Sequence, residues 1–95
     1  MTAITLTGQV SLIKTERMLD KSLVVDFILE HIDETNRTHH FFLRAFTTGT
    51  KDRFGISELI GHDVTAECYL NGRKGEGTKG TFYSNELRVK TIHRI

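Results

Sequence analysis

The sequence predicts an all-β fold with one short helix. Five strands roll into a small Greek-key barrel, and the helix lies between the third and fourth of them. Three observations predict this. Five segments alternate apolar and polar residues at the two-residue period of a half-buried strand. Residues 51–60 instead space Phe54, Ile56, Leu59 and Ile60 roughly as a helix does. Ninety-five residues make one domain, residues 1–95, too small to stabilise an open sheet of short one-faced strands. Closing the sheet buries the apolar face and removes the exposed edges.

The first strand is Ile4–Leu12. Gly8 stands in one of its apolar slots and suggests a bend or bulge where a barrel strand curls. Residues 14–22 are polar and charged and read as a loop. Leu23–Ile32 is the second strand, with Leu23, Val25, Phe27 and Leu29 on one face. Asp33–Thr38 has turn composition, and His39–Phe46 is the third strand. The helical segment follows and is closed by Gly61. Val64–Leu70 is the fourth strand. Asn71-Gly72 opens a long Gly-rich hairpin loop, and Thr81–Ile95 is the fifth strand, with Leu87 and Val89 inward. A helix in the slot between strands three and four of a five-stranded barrel is the arrangement of the OB-fold.

Composition bounds the rest. A chain of this size buries about 65% of its unfolded surface and needs no staple. The single Cys68 excludes an internal disulfide and reads as a small buried hydrophobe, because nothing electropositive adjoins it to lower its pKa. There is no charged-then-apolar leader and no apolar run near the roughly 20 residues of a membrane span. A cytoplasmic, reducing setting is expected. The net charge of +1 hides an asymmetry. Residues 71–95 carry six basic against two acidic side chains, a surplus of +4, and residues 1–70 carry seven against ten, or −3. A flexible cationic hairpin with aromatics suits single-stranded nucleic acid; a solvated hairpin would look the same by charge alone.

The chain resembles the bacterial single-stranded DNA-binding proteins and their phage relatives. The likeness is carried by Leu6-Thr7-Gly8-Gln9-Val10, by Phe41-Phe42-Leu43-Arg44-Ala45-Phe46 before a helical segment, by Ile60 to Leu70, and by a basic Gly-rich hairpin ending in Phe82-Tyr83-Ser84. It covers nearly the whole chain. The family usually carries tryptophans on its binding strands and an acidic-tipped C-terminal tail; this sequence has no tryptophan and stops at its last strand. The short single-domain relatives, primosomal or phage, are nearer in form. The resemblance implies an SSB-like OB-fold, a homo-oligomer, and a role in replication, recombination or repair.

Alternation assigns the candidate site. With Phe41, Leu43 and Ala45 inward, Phe42, Arg44 and Phe46 face out. Outward aromatics around an arginine form a base-stacking platform, each stacked base contributing roughly 1–3 kcal/mol. The opposite phase would bury Phe42 and Phe46 and expose Phe41. In the resemblance, Phe46 matches an aromatic position on the family's DNA-contacting strand. Arg88 and Lys90 share the outward face of strand five and suit phosphates, or serve as plain solubilising charge. Arg73, Lys74 and Lys79 lie on the Gly-rich loop. Of Phe82 and Tyr83, one is expected to anchor the hairpin in the core while the other, Tyr83, stacks.

Other motifs drop out. Gly75-Glu76-Gly77-Thr78-Lys79-Gly80 matches G-x-G-x-x-G, but it precedes a strand rather than a helix, so it is not a dinucleotide fingerprint. His31, His39, His40, His62 and His93 have no zinc spacing, and His39 and His40 point to opposite faces of a strand, so no metal or other cofactor is expected. Asn36-Arg37-Thr38 is a turn. No nucleophile-base or carboxylate pair has a cleft to sit in, so the chain is not expected to be an enzyme.

Two functions remain. One is binding of single-stranded DNA, or RNA, with little sequence preference, through phosphates along Arg44, Arg73, Lys74, Lys79, Arg88 and Lys90 and bases on Phe42, Phe46 and Tyr83. The other is an OB-fold protein-interaction subunit of a replication or phage complex, whose outward aromatics anchor an interface.

Overall fold

A computed structural model of the chain describes residues 2–48 and 54–95. Its elements run β1 (Thr2–Leu19), β2 (Ser22–Ile32), β3 (Thr38–Thr48), α1 (Ile56–Leu59), β4 (Asp63–Gly77) and β5 (Gly80–Arg94). The strands close in the order β1-β2-β3-β5-β4. All pairs are antiparallel except β3 with β5, which run parallel through Leu43↔Leu87 and Arg44↔Arg88. This is the expected five-stranded OB-fold barrel, with the helix between the third and fourth strands.

One strand makes the closure. The first half of β1 pairs with β4, from Thr2↔Leu70 to Gln9↔Asp63, and its second half pairs with β2, from Gln9↔Glu30 to Leu19↔Ser22. Register shifts between Val10 and Leu12 and between Ile13 and Thr15 bend it between the two partners. An extra residue on one strand bends it and sharpens its twist. The bend therefore lies just beyond Gly8 rather than at it. Gly8 meets a different need: a Cβ there would run into the Glu30 carbonyl oxygen, with His31 Cα only 3.3 Å away.

The core is made by the inward phase of every strand. Val10, Val25, Phe27, Leu29, Leu43, Ala45, Val64, Ala66 and Cys68 are fully buried. Burial pushes the Cys68 thiol up to about 11, as suits a core hydrophobe. The expected helical segment, Lys51–Ile60, begins among residues 49–53, which lie outside the described residues; its described part is the single turn α1. Ile56 is fully buried, and Phe54 and Leu59 pack against the core beside it. Gly61 ends the turn with φ +84° and donates its N–H to the Val10 carbonyl at 2.8 Å. No helix among the described residues is long and apolar enough to cross a membrane.

Two expected loops are strands. Residues 14–22 were readable as a loop because they bury nothing, yet they form a paired arm of β1 and β2 closed by a tight turn at Asp20 (φ +59°). The Gly-rich stretch is a ribbon paired as far as Gly77↔Gly80. Ladder hydrogen bonds, not side-chain burial, hold both arms, so hydrophobic alternation does not report them. Neither aromatic of the ribbon enters the core. Phe82 lies across Gly75, whose missing side chain makes the room, and Tyr83 is 76% exposed. The turn that composition predicts at Asp33–Thr38 is present over Asp33–Arg37, and Thr38 already pairs with Ile32 as the first residue of β3. The Asp33 carboxylate accepts from the Thr35 and Arg37 N–H groups at 2.8 and 3.0 Å and pairs with His39 at 2.6 Å. These bonds, that to His39 first, hold its carboxyl well below the usual range.

Candidate nucleic-acid interface

The outer face of β2 and β3 carries Val24↔Phe46, Asp26↔Arg44 and Ile28↔Phe42 side by side. The phase is the one alternation predicts: Leu43 and Ala45 are fully buried, whereas Phe42 is 48% exposed and Arg44 and Phe46 are partly so. Phe41 packs against the core and stacks on His39, with ring centroids 6.0 Å apart and planes within 9°.

An alternating chain of charges crosses this face. Asp26 sits in the middle of the apolar run of β2 and is only 2% exposed. It accepts from Arg17 Nη1 and Thr15 Oγ1 on β1, each at 2.9 Å, and from Arg44 Nε at 2.7 Å and Nη2 at 3.3 Å. Arg44 Nη1 reaches on to Glu86 Oε2 at 3.0 Å. The other oxygen of Glu86 accepts from Arg88 Nε and pairs with its Nη2, both at 3.2 Å. The Arg88 guanidinium lies 4.2 Å from the centre of the Phe46 ring, within cation–π range. Three cations and two anions therefore span β1, β2, β3 and β5. Burial alone would raise the Asp26 carboxyl, but Arg44, Thr15 and Arg17 together hold it below the usual range. The bond to Asp26 raises Arg44 in turn.

The strip continues along β4 and β5. Tyr69 is the cross-strand partner of Arg88, and Lys90 Nζ lies 5.8 Å from its ring. Lys90 is paired with Glu67 at 2.9 Å, which raises its pKa. It is the residue left unmatched by the β4–β5 register shift, between Cys68↔Val89 and Glu67↔Thr91.

Beyond the barrel, the β4–β5 ribbon holds Arg73, Lys74, Lys79 and Tyr83, all exposed. None of the three cations makes an ion pair among the described residues. Lys79 sits in the two-residue turn at the tip, and Lys74 pairs across the ribbon with Tyr83. Where the ribbon leaves the barrel, a cleft of about 490 Å³ opens between it and β3. Leu70, Leu87, Ile4 and Phe41 form its apolar lining, and Phe42, Arg44, Glu86 and Arg73 stand around it.

The fold thus gathers Phe42, Arg44, Phe46 and Arg88 on one face and sets Arg73, Lys74, Lys79 and Tyr83 on an arm beside it. Lys90 lies at the far side, beyond Tyr69. Four residues of the face were missed from sequence: Arg17, Asp26, Tyr69 and Glu86. Signals existed for three. Tyr69 lies out of phase with the inward Cys68. Glu86 shares a strand face with Arg88. Asp26 puts a carboxylate inside an apolar strand, which calls for a partner.

Among the described residues, no group of three or more His, Cys, Asp or Glu side chains could hold a metal.

No family model matches the sequence, and no curated protein matches it significantly. Solved structures do match. The N-terminal domain of PriB from Thermoanaerobacter tencongensis, described as dimeric, superposes with a TM-score of 0.71 at 19% identity, over 98% of this chain and 94% of that one. A mitochondrial single-stranded DNA-binding protein from S. cerevisiae gives 0.74 at 15% identity, over 99% and 94%. A small single-stranded DNA-binding protein from Streptomyces coelicolor gives 0.60 at 16%, again over 99% and 94%. The chain shares over 98–99% of its length the OB-fold of this PriB domain and of these two single-stranded DNA-binding proteins.

Proposed function

We propose that the chain binds single-stranded nucleic acid, DNA foremost, with little sequence preference, and that it does no chemistry on it. The observation that carries this is the outer strip, on which Phe42, Phe46 and Tyr69 are interleaved with Arg44 and Arg88 and lead to the ribbon cations, which make no ion pair among the described residues. Bases stack on Phe42, Phe46 and Tyr83, since every base has a π-face. Arg73, Lys74 and Lys79 take phosphates, joined by Arg88 and Lys90 once these leave their carboxylates. Arg44 is engaged by Asp26 and Glu86, and its part is to brace the platform. The likeness to two single-stranded DNA-binding proteins and to a dimeric PriB domain supports the reading, and extends it to a homo-oligomer whose summed sites add avidity. A role in replication, recombination or repair, in the cytoplasm, goes with it.

The test is fluorescence anisotropy of a labelled oligo-dT of about 30 nucleotides at two salt concentrations, with duplex and RNA of equal length as competitors. Binding that favours single strands is expected, with log K falling by about 0.7 per contacted phosphate for each tenfold rise in salt. The double charge reversal Lys74→Glu, Lys79→Glu is expected to abolish it. A rival reading, a protein-interaction module, is favoured by Leu12, Met18 and Leu19, which stand 46%, 49% and 55% exposed along the second half of β1. No binding at tens of micromolar in low salt, with a partner still captured by the charge-reversed protein, would establish that rival.

A further inference from the structure

The face is built for stacking, yet its central ring is covered. The Arg88 guanidinium lies 4.2 Å from the centre of Phe46, on ground that a stacked base would occupy. Arg88 does not rest there by ring attraction alone. Glu86 Oε1 holds its Nε and Nη2, both at 3.2 Å. Glu86 is itself fixed: its side chain is 14% exposed, and its other oxygen accepts from Arg44 at 3.0 Å. Arg44 is tied at its far edge to the buried Asp26.

Asp26 is a structural carboxylate, bonded on all sides. Glu86 differs in kind, since it offers a planar anion to two arginines at the mouth of the cleft. A phosphate oxygen would make the same charge-assisted bonds with Arg88.

We infer that Glu86 is an internal stand-in for phosphate, a latch that keeps Arg88 on the Phe46 ring until a nucleic-acid phosphate takes its place. This rests on the reading of the face as a nucleic-acid interface. Binding is then an exchange of one anion for another at Arg88, and the exchange uncovers Phe46. Lone small anions gain little from it, because they must displace a tethered carboxylate and offer nothing to the bared ring. A strand supplies both replacements in one ligand, a phosphate for Arg88 and a base for Phe46. Glu86 therefore sets selectivity for nucleotide chains over simple anions, at a cost in affinity.

Glu86→Gln is the test. The amide removes the competing charge, while Arg44 keeps Asp26 and the fold keeps its brace. In titrations with labelled oligo-dT of about 30 nucleotides, the variant is expected to bind at least about fivefold more tightly at low salt. Its salt slope should steepen by about 0.7, since Arg88 then meets its phosphate without an anion of the protein being displaced, and one more phosphate charge is neutralised in net terms. Phe46→Ala should weaken binding equally or more in the Glu86→Gln background than in the wild type. Equal or weaker binding by Glu86→Gln, while the wild type binds, overturns the latch and leaves the functional reading standing. Absence of binding by both proteins overturns both. A readout on the unmutated protein guards against a folding defect: the Arg88 Nε–H resonance, displaced by the Phe46 ring in the free state, should lose that displacement when oligo-dT is added. A resonance unmoved at saturation overturns the latch as well.

Discussion

At the scale of single residues, Asp26 decides most. It is a buried carboxylate on the outward phase of β2, and it stays ionised only because two arginines and a threonine surround it. Removing one partner of such a set strands the others. Asp26→Ala is therefore expected to cost about 3–5 kcal/mol, measured by urea denaturation. Acid acts on the same group. Its folded pKa lies below its unfolded one, so its stabilisation is complete above about pH 4 and is lost as pH falls through the folded value. The urea midpoint should decline as pH falls below about 4, and Asp26→Asn should flatten that decline. Asp26 also shows what one sequence conceals. Its placement between Val25 and Phe27 advertises a buried charge, but its partners lie on two other strands, and pairing cannot be read without the register. For the same reason the sequence offers Arg44 as a phosphate ligand without showing the two carboxylates that hold it in the fold.

Among the elements, β1 is legible only in its first half. Ile4–Val10 alternates because one face meets the core, and the register shift beyond Val10 then turns Leu12 outward and Ile13 toward the core. The rest of β1 and the outer β4–β5 ribbon are extended because their backbones pair, and their exposed side chains carry no record of that. Glycines mislead in the same way. In the ribbon they resemble a loose loop, yet Gly75 makes room for the Phe82 ring. Gly8 resembles a bulge, yet it is where β1 crosses close over the β2 backbone at Glu30. Gly8→Ala forces those strands apart, and is expected to lower stability by about 1–3 kcal/mol, seen as a fall in the thermal midpoint. The barrel strands themselves, and the phase that turns Phe42 and Phe46 outward, were legible because the core imposes a strict period of two.

For the whole molecule, the barrel order follows from five one-faced strands that must close, and the basic surplus of residues 71–95 marks the side of the barrel where the candidate interface lies. The closing strand has a further consequence. Thr2 pairs with Leu70 and Gln9 with Asp63, so the two ends of the closing seam are separated by most of the chain. Contacts of such span slow the search for the native state. With no proline in the sequence, refolding should lack the phase of tens of seconds that prolyl isomerisation produces. Stopped-flow refolding is expected to show a main phase in the millisecond-to-second range, and any slower one should quicken with protein concentration as subunits meet. On a ribosome the same seam sets a timetable. The first strand leaves the exit tunnel before its partner and waits, the edge of its first half unpaired, so the barrel cannot close until β4 and β5 have followed it out.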